Sequence, residues 1–106
     1  MDIPDIYVHD GTIFSVVEEP EHARITMQVE LPNLERDEEL ERRTLVFEDV
    51  YGYQVMEGLM NGPITLLDFG VVGQESRWSR VRLDTGNGYR EILCSSVRVL
   101  ENDTKG

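Results

Sequence analysis

Lysine, histidine and cysteine are scarce in this sequence, and each scarcity argues against a kind of chemistry. The only lysine is Lys105, and no glycine-rich loop ends in a lysine, so a phosphate-binding loop for nucleotides is not expected. The two histidines are the only side chains that ordinarily titrate near neutral pH, and no Gly-x-Ser-x-Gly motif is present. Acyl transfer needs a nucleophile, a base and an orienting group together. We therefore predict a protein that is not an enzyme and holds no cofactor.

Basic residues are also few. The chain has 21 Asp and Glu against 10 Lys and Arg, a net charge of -11, and the phosphate backbone of a nucleic acid repels such a surface. The charge is uneven, because residues 1–76 carry 17 acidic and 4 basic side chains whereas residues 77–106 carry 4 acidic and 6 basic ones. We expect no nucleic-acid partner, and we expect any anion-binding surface to lie in the last third of the chain.

Long apolar runs are absent as well. No stretch is long enough to span a bilayer, and the first residues have neither the basic start nor the apolar run of a signal peptide. The single cysteine, Cys94, cannot form an internal disulfide, which fits a reducing compartment. Its neighbours Ile92 and Leu93 are apolar, and we expect a buried core position for it. These features predict a cytoplasmic protein with no membrane contact.

What the sequence does contain is enough apolar material for one core. Hydrophobic residues make up 40% of the 106 residues and charged residues 29%, which is typical of a folded globular protein and not of a disordered one. Two halves of this length would each be too small to bury a useful core. We expect a single domain over residues 1–106, with a frayed tail at residues 101–106.

The first half of the chain has the pattern of antiparallel strands. Residues 23–31 alternate strictly between apolar and polar side chains, which is the period of a strand with one solvated face. Residues 12–17 are rich in β-branched and aromatic side chains, and a polar connection with a proline joins the two segments into a predicted hairpin. A third strand is predicted at residues 44–50.

The second half is less uniform. The spacing of Val55, Met56, Leu59 and Met60 favours one short helix near residues 52–61, with a strand as the competing interpretation. Residues 64–72 are predicted as a buried strand with a bend or bulge at Gly70. Residues 78–84 and 89–95 flank a tight turn in a second hairpin, and residues 97–100 extend it or form a final strand.

These elements together predict a mostly β fold. The expected architecture is an antiparallel meander that forms a small sandwich or a partly open barrel with the one short helix, and the alternative is an α+β fold. Periodicity does not rank the sandwich against the barrel.

Two surfaces are candidates for binding a protein partner. Trp78, Arg80 and Arg82 are predicted to share one face of their strand, and Trp and Arg are frequent hot spots at interfaces. The alternative is an ordinary solvated face whose arginines pair with carboxylates while Trp78 turns into the core. The second surface is an acidic segment, predicted as a loop or a single helical turn, that would attract a basic partner. Its acidic members are Glu35, Asp37, Glu38, Glu39 and Glu41.

Two weaker patterns point to other chemistry. His9, Asp10 and His22 are residue types that bind divalent metals. His9 and His22 would approach each other if they lay beyond opposite arms of the first hairpin. Because the sequence has no pair of Cys or His residues at metal-binding spacing, we expect no metal. The triplet Asp84-Thr85-Gly86 resembles the catalytic loop of retroviral-type aspartic proteases. We interpret it as part of the hairpin turn, because a second turn glycine follows at Gly88 and the chain ends soon afterwards.

A family resemblance covers about half of the chain. The opening His9-Asp10-Gly11-x-Ile13, the alternating strand that follows and the later segment LVFEDV at residues 45–50 resemble a group of small uncharacterised bacterial proteins. Some of these are similar to immunity proteins of bacterial toxin systems. The resemblance implies an acidic, cytoplasmic bacterial protein that binds a basic toxin, and it identifies no functional residue.

The leading functional prediction is a non-enzymatic protein-interaction domain with an immunity-type or regulatory role. The alternative is a β domain that binds a small ligand or a metal. A homodimer is a further expectation, because an open sheet leaves strand edges that pair readily unless they are blocked.

Overall fold

The computed structural model describes residues 3–58 and 62–101, and eight antiparallel strands form one sheet within them. The strands are β1 (Gly11–Glu19), β2 (Arg24–Asn33), β3 (Glu39–Glu48), β4 (Gly52–Glu57), β5 (Ile64–Glu75), β6 (Trp78–Thr85), β7 (Gly88–Cys94) and β8 (Ser96–Glu101). Their order across the sheet is β4-β7-β6-β5-β1-β2-β3-β8. Two 3-10 turns, Pro20–His22 and Leu34–Arg36, lie between β1 and β2 and between β2 and β3. The prediction of a mostly β, antiparallel fold is confirmed.

The described residues contain strands, turns and connections but no α-helix. Accordingly, none of their segments is a helix with the length and apolar character needed to cross a membrane.

The alternating segment forms the centre of one half of the sheet. In β2 the side chains of Ile25, Met27, Val29 and Leu31 are buried, and the polar residues between them are half-buried on the opposite face. The neighbouring strands β1 and β3 both pair with β2 in antiparallel register. The predicted hairpin of the first two strands is therefore confirmed, and the third strand is longer at its start than the pattern suggested.

The sheet consists of two four-stranded halves, β4-β7-β6-β5 and β1-β2-β3-β8. The halves are joined at the β5–β1 ladder, and the chain also passes between them at residues 49–51 and at Ser95. There Ser95 N–H donates to the carbonyl of Glu48 (3.0 Å) and Tyr51 N–H donates to the carbonyl of Leu93 (2.8 Å). No ladder joins the end strands β4 and β8 in the described part of the chain, so the sheet is not a closed barrel.

The inner faces of both halves share one core. It includes buried side chains from β2, β3, β5, β6 and β7, among them Met27, Leu45, Phe47, Leu66, Leu83 and Ile92. Cys94 is also fully buried in it, as predicted, and burial raises the pKa of its thiol to about 12.

The short helix predicted near residues 52–61 is wrong for the part that the structure describes. Residues 52–57 form β4, which pairs with β7 from Gly52 opposite Leu93 to Glu57 opposite Gly88, while residues 59–61 lie outside the described residues. A helix this short is costly to nucleate and would have to gain its stability from packing. The ladder with β7 instead supplies main-chain hydrogen bonds along the whole segment. Pairing with a distant strand therefore decides the structure here, and not the helical spacing of the apolar residues.

One smaller expectation is wrong, and two alternatives that the sequence left open are decided. The bulge predicted at Gly70 is replaced by irregularities on either side, between Leu66 and Asp68 and between Val71 and Gly73, while Gly70 itself pairs with Arg82. Residues 97–100 belong to the separate final strand β8, which pairs with β3. The acidic segment forms a 3-10 turn, which is one of the two predicted alternatives, and its last residues belong to the start of β3.

The ladder between β1 and β5 is short for identifiable reasons. It covers Gly11 to Ile13 of β1 and Ile64 to Leu66 of β5. Beyond Ile64 the ladder meets Pro63, which has no N–H to donate. At the other end the chain turns sharply, because Gly11 N–H donates to the carbonyl of Val8 (2.6 Å). As a result, most of β5 pairs only with β6.

Candidate interaction surfaces

The residues predicted to share one face of β6 do so. Ser79, Val81, Leu83 and Thr85 are buried, whereas the intervening Trp78, Arg80, Arg82 and Asp84 are half-buried on the outer side of the sheet. The neighbouring strand β7 places Tyr89 and Glu91 opposite Asp84 and Arg82, on the same outer side. We call Tyr51, Trp78, Arg80, Arg82 and Tyr89 the Trp–Arg face.

The arginines of this face are held by carboxylates. Arg80 pairs with Glu75 and, at 3.2 Å, with Glu91. Arg82 pairs with Asp84 at 3.0 Å and with Glu91 at 3.5 Å. The Glu91 side chain is only 14% exposed, so the two arginines share a carboxylate that is largely shielded from water. The face is therefore close to electrically neutral, and its long side chains are tied in place.

Aromatic rings complete the face. The Tyr51 ring stacks on Trp78 with centroids 4.3 Å apart and an interplanar angle of 22°. The Arg77 guanidinium carbon lies 4.7 Å from the Trp78 ring centroid, and that of Arg82 lies 3.8 Å from the Tyr89 ring centroid. Tyr51 is 69% exposed, so the outer side of this stack faces solvent. Trp78 is half-buried and outside the core cluster, so it does not turn inward as the alternative expected, whereas Arg80 and Arg82 pair with carboxylates as the alternative did expect.

Asp49 anchors this corner of the molecule. Arg77 donates two hydrogen bonds of 2.9 Å to its carboxylate, and the Ser95 hydroxyl donates a third. These bonds, those from Arg77 first, hold the pKa of Asp49 below its usual value. The Trp78 N–H acts in the same direction, although it makes no hydrogen bond of regular geometry. Because the donors come from distant points in the sequence, no local pattern indicated this cluster.

The acidic segment divides into paired and unpaired carboxylates. Glu41 accepts a hydrogen bond from the Asn33 amide (3.1 Å) and pairs with Arg43, and these contacts, that of Asn33 first, lower its pKa. Glu39 pairs with Arg36 at 3.8 Å. These acids are therefore partly committed to holding the β2–β3 connection.

The other three acids of the segment are more available. Glu38 accepts a hydrogen bond of 3.4 Å from the Tyr7 hydroxyl, and all three are exposed. Glu35 and Asp37 have no ion pair among the described residues. Beside them Leu34 is 63% exposed. The five predicted residues thus lie near one another in the β2–β3 connection and the start of β3, and we call Glu35, Asp37 and Glu38 the acidic corner.

A cleft of about 470 Å³ borders the acidic corner. Its acidic lining residues are Asp5, Glu35 and Glu101, against the single basic residue Arg43, which is paired with Glu41. A cationic segment would therefore find carboxylates on this side of the molecule.

The metal-ligand candidates are not brought together. His9 pairs with Asp10 at 3.5 Å just before β1, while His22 pairs with Glu21 at 3.9 Å just after it. β1 is 9 residues long, which corresponds to about 30 Å of extended chain. The question that the sequence left open is answered: the two histidines lie at opposite ends of one strand and not beyond opposite arms of the hairpin, so they do not approach each other. In the described part of the chain, no group of three or more His, Cys, Asp or Glu could hold an ion.

The Asp84-Thr85-Gly86 triplet forms part of the turn between β6 and β7, as predicted. Thr85 pairs with Gly88, which leaves Gly86 and Asn87 as the turn residues. The Asp84 carboxylate is engaged with Arg82, and the Thr85 hydroxyl donates to Glu57 (2.9 Å).

A buried ion pair was not foreseen from the sequence. Arg90 donates two hydrogen bonds of 2.9 Å to Glu57 and one of 2.9 Å to the Tyr53 hydroxyl. The side chains of Arg90 and Glu57 are only 11% and 7% exposed. The contact with Arg90 is the main cause that lowers the pKa of Glu57, whereas burial is the main cause that raises that of Tyr53. The helix predicted over residues 52–61 gave no reason to expect this pair, because a helical Glu57 would have no partner strand in β7.

Any anion-binding surface was expected in the last third of the chain, and the arginines described there are all engaged with carboxylates. Each arginine of residues 77–101 is paired with a carboxylate: Arg77 with Asp49, Arg80 with Glu75 and Glu91, Arg82 with Asp84 and Glu91, Arg90 with Glu57, and Arg98 with Glu48. The basic excess of this segment neutralises acids from the rest of the chain and leaves no unpaired guanidinium there.

Comparison of the chain with protein-family models, curated proteins and solved structures gives no match. The functional argument therefore rests on the geometry of these surfaces.

Proposed function

We propose that this domain is a non-enzymatic protein-interaction module that binds a protein partner through the Trp–Arg face. The observation that carries the proposal is the solvent-facing stack of Tyr51 on Trp78 beside Arg80 and Arg82. Tyr, Trp and Arg are the residue types most enriched at the energetic centres of interfaces.

The ion pairs favour binding at this face in two ways. Arg80 and Arg82 are already held by Glu75, Glu91 and Asp84, so little side-chain entropy is lost when a partner covers them. Their charges are also compensated before binding, so no uncompensated guanidinium has to be buried. Both effects lower the cost of forming an interface.

The experiment is quantitative affinity capture from a lysate with matched variants. Tyr51→Ala and Arg82→Ala change the Trp–Arg face, and Val17→Ala removes an exposed apolar side chain from β1 in the other half of the sheet. We expect one set of proteins to be lost with the first two variants and kept with Val17→Ala, with circular dichroism confirming that all three fold. A protein list that is the same for all variants would count against the face.

The acidic corner supports a second part of the proposal, in which the partner is basic. A net charge of -11 speeds the approach of a cationic protein, and the unpaired Glu35 and Asp37 give that attraction a local target. This is the surface that an immunity-type protein would offer to a basic toxin. A cytoplasmic location is part of this proposal and is supported by the lone, buried thiol of Cys94.

Salt dependence tests this second part. For a captured partner, the association rate should fall as salt increases, and Glu35→Gln combined with Asp37→Asn should lower it further at low salt. Glu39→Gln is the control, because its carboxylate is already paired with Arg36. A rate that salt does not change would refute the role of the acidic corner and leave that of the Trp–Arg face open to its own test.

A further inference from the structure

The longest open strand edge in the described residues belongs to β5. Residues 67–75 of β5 pair with β6 on one side only, because the ladder with β1 ends at Leu66. No other main-chain hydrogen bond of the described residues reaches this stretch. Within it the Phe69 N–H donates to the Asp68 carboxylate (2.9 Å). The remaining outward N–H and C=O groups of this edge have no main-chain partner and are a template for another strand.

The composition of this edge is unusual for so acidic a chain. Residues 69–74, with the sequence FGVVGQ, carry no charge. Leu67, Val71 and Val72 are 44%, 47% and 54% exposed. An uncharged, apolar and exposed edge is the kind that pairs with a further strand, since natural edges are usually blocked by charges or proline.

The open edges of β1 and β8 carry charges that oppose self-association, whereas β4 is uncharged over residues 52–56 and offers a shorter edge. The free edge of β1 ends in Glu18 and Glu19, and β8 contains Arg98 and Glu101. β4 is shorter, and its first residues line a cavity of about 360 Å³ together with Glu18 and Glu19. Two copies of a chain with a net charge of -11 repel each other, and an uncharged contact adds no close pair of like charges to that repulsion. The β5 edge meets this condition over the greatest length.

We propose that β5 pairs antiparallel with β5 of a second copy, about a two-fold axis at Val71. This register places Asp68 opposite Gln74 of the second copy and Leu67 opposite its Glu75, so no two acids face each other. A two-fold axis between Val71 and Val72 would instead set Asp68 against Glu75, and like charges directly opposite are destabilising. Charge thus disfavours that register and is compatible with the axis at Val71.

The dimer has a consequence for the outer face. Antiparallel pairing about an axis perpendicular to the sheet keeps the same face of both copies on one side. Because β5 adjoins β6, the two Trp–Arg faces would lie on one side of a continuous sheet. The dimer does not depend on the proposed function and is tested without any partner.

Cysteine crosslinking distinguishes this edge from the others. A valine of similar exposure occurs on each open edge: Val71 in β5, Val17 in β1, Val55 in β4 and Val99 in β8. Each is changed to cysteine in turn, and Val72→Cys is added as a register control that should crosslink more slowly than Val71→Cys, because the proposed axis sets Val72 opposite Gly70 of the second copy. Under mild oxidation at about 50 µM protein, we expect Val71→Cys to form covalent dimer at least about tenfold faster than Val17→Cys, Val55→Cys and Val99→Cys, since pairing raises the local thiol concentration.

Sedimentation provides an independent measurement. The wild-type chain should show a monomer–dimer equilibrium with a dissociation constant in the range of about 10 to 100 µM, as expected for a contact smaller than a standard interface. Val71→Lys should weaken it by about tenfold or more, because lysine on an edge opposes strand pairing, whereas Val55→Lys and Val99→Lys should not. A monomer up to about 500 µM, equal crosslinking of all variants, or faster crosslinking at another edge would each overturn the proposal.

Discussion

Replacing Glu57 with glutamine tests how much the buried ion pair stabilises the fold. The variant Glu57→Gln keeps the shape and one hydrogen-bond acceptor but removes the charge that compensates Arg90. Since the two side chains are only 7% and 11% exposed, water cannot replace the lost carboxylate without opening the structure. Arg90 cannot escape the problem by losing its proton, because a guanidinium stays charged in proteins.

The expected cost follows from this burial. Removing one partner of a buried pair typically destabilises a protein by about 3 to 5 kcal/mol, and the retained acceptor of glutamine favours the lower value, about 3 kcal/mol. For a domain of this size that corresponds to a decrease of about 12 °C in melting temperature. In urea the midpoint should fall by about 2 M with an unchanged m value.

Two further variants show whether the cause is the uncompensated charge. The double variant Glu57→Leu with Arg90→Met removes both charges and should be more stable than Glu57→Gln, although the hydroxyls of Tyr53 and Thr85 lose their partners. Glu39→Gln breaks an exposed pair and should cost less than about 0.5 kcal/mol. If Glu57→Gln costs no more than Glu39→Gln, the pair is not buried in solution and the reasoning is refuted.

The pair also predicts a dependence on pH. Arg90 lowers the pKa of Glu57 in the folded state, so the stabilisation is complete above the ordinary pKa of a glutamate and is lost as pH falls through the folded value. Urea unfolding measured from pH 7 down to the acid limb should therefore show a shallower loss of stability for Glu57→Gln than for the wild type.

Three other predictions address separate features. Gly88→Ala should lower the free energy of unfolding in urea by about 3 kcal/mol or more, because a Cβ there would lie 2.0 Å from the carbonyl oxygen of Met56. Gly70→Ala is the control and should be nearly neutral, because a Cβ there meets no atom within 4 Å. Similar losses for the two variants would contradict the packing around Gly88. Cys94 should react with a thiol reagent at pH 8 only at the rate of unfolding, because its thiol is buried and has a pKa of about 12. Fast labelling of the native protein would show that the thiol is accessible. Asp49→Asn should reduce the loss of stability between neutral and acid pH, because the stabilisation from Asp49 disappears as pH falls through its lowered pKa in the folded state. The same pH dependence in the variant and the wild type would mean that the hydrogen bonds of Asp49 do not persist in solution.

The strands could be predicted from the sequence where one face of the strand contacts solvent and the other face lies in the core. Ile25, Met27, Val29 and Leu31 alternate with polar residues because β2 has its inner side in the core and its outer side exposed to water, and the same logic correctly placed Trp78, Arg80 and Arg82 on one face. The pattern fails for β4, which lies at the end of the sheet. There Val55 and Met56 are both exposed, so adjacent apolar residues imitate a helical stripe.

The contacts between charged residues could not be predicted, because they depend on strand order. Glu57 and Arg90 are 33 positions apart, and Arg77 and Asp49 are 28 apart. Each pair forms only because the chain passes between the two halves of the sheet at residues 49–51 and returns at Ser95. A periodicity within one segment contains no information about which distant strand becomes its neighbour.

The distribution of charge constrains what this domain can bind. In the first 76 residues, acidic side chains outnumber basic ones by 17 to 4. The arginines of residues 77–101 form ion pairs with carboxylates. The field around the molecule is therefore set by the unpaired acids and is negative at distances beyond the individual ion pairs. A partner must then be cationic overall, or must approach a neutral patch at close range. The Trp–Arg face and the β5 edge are neutral patches of the described residues that also expose aromatic or apolar side chains, and this is why the two proposals concern these surfaces.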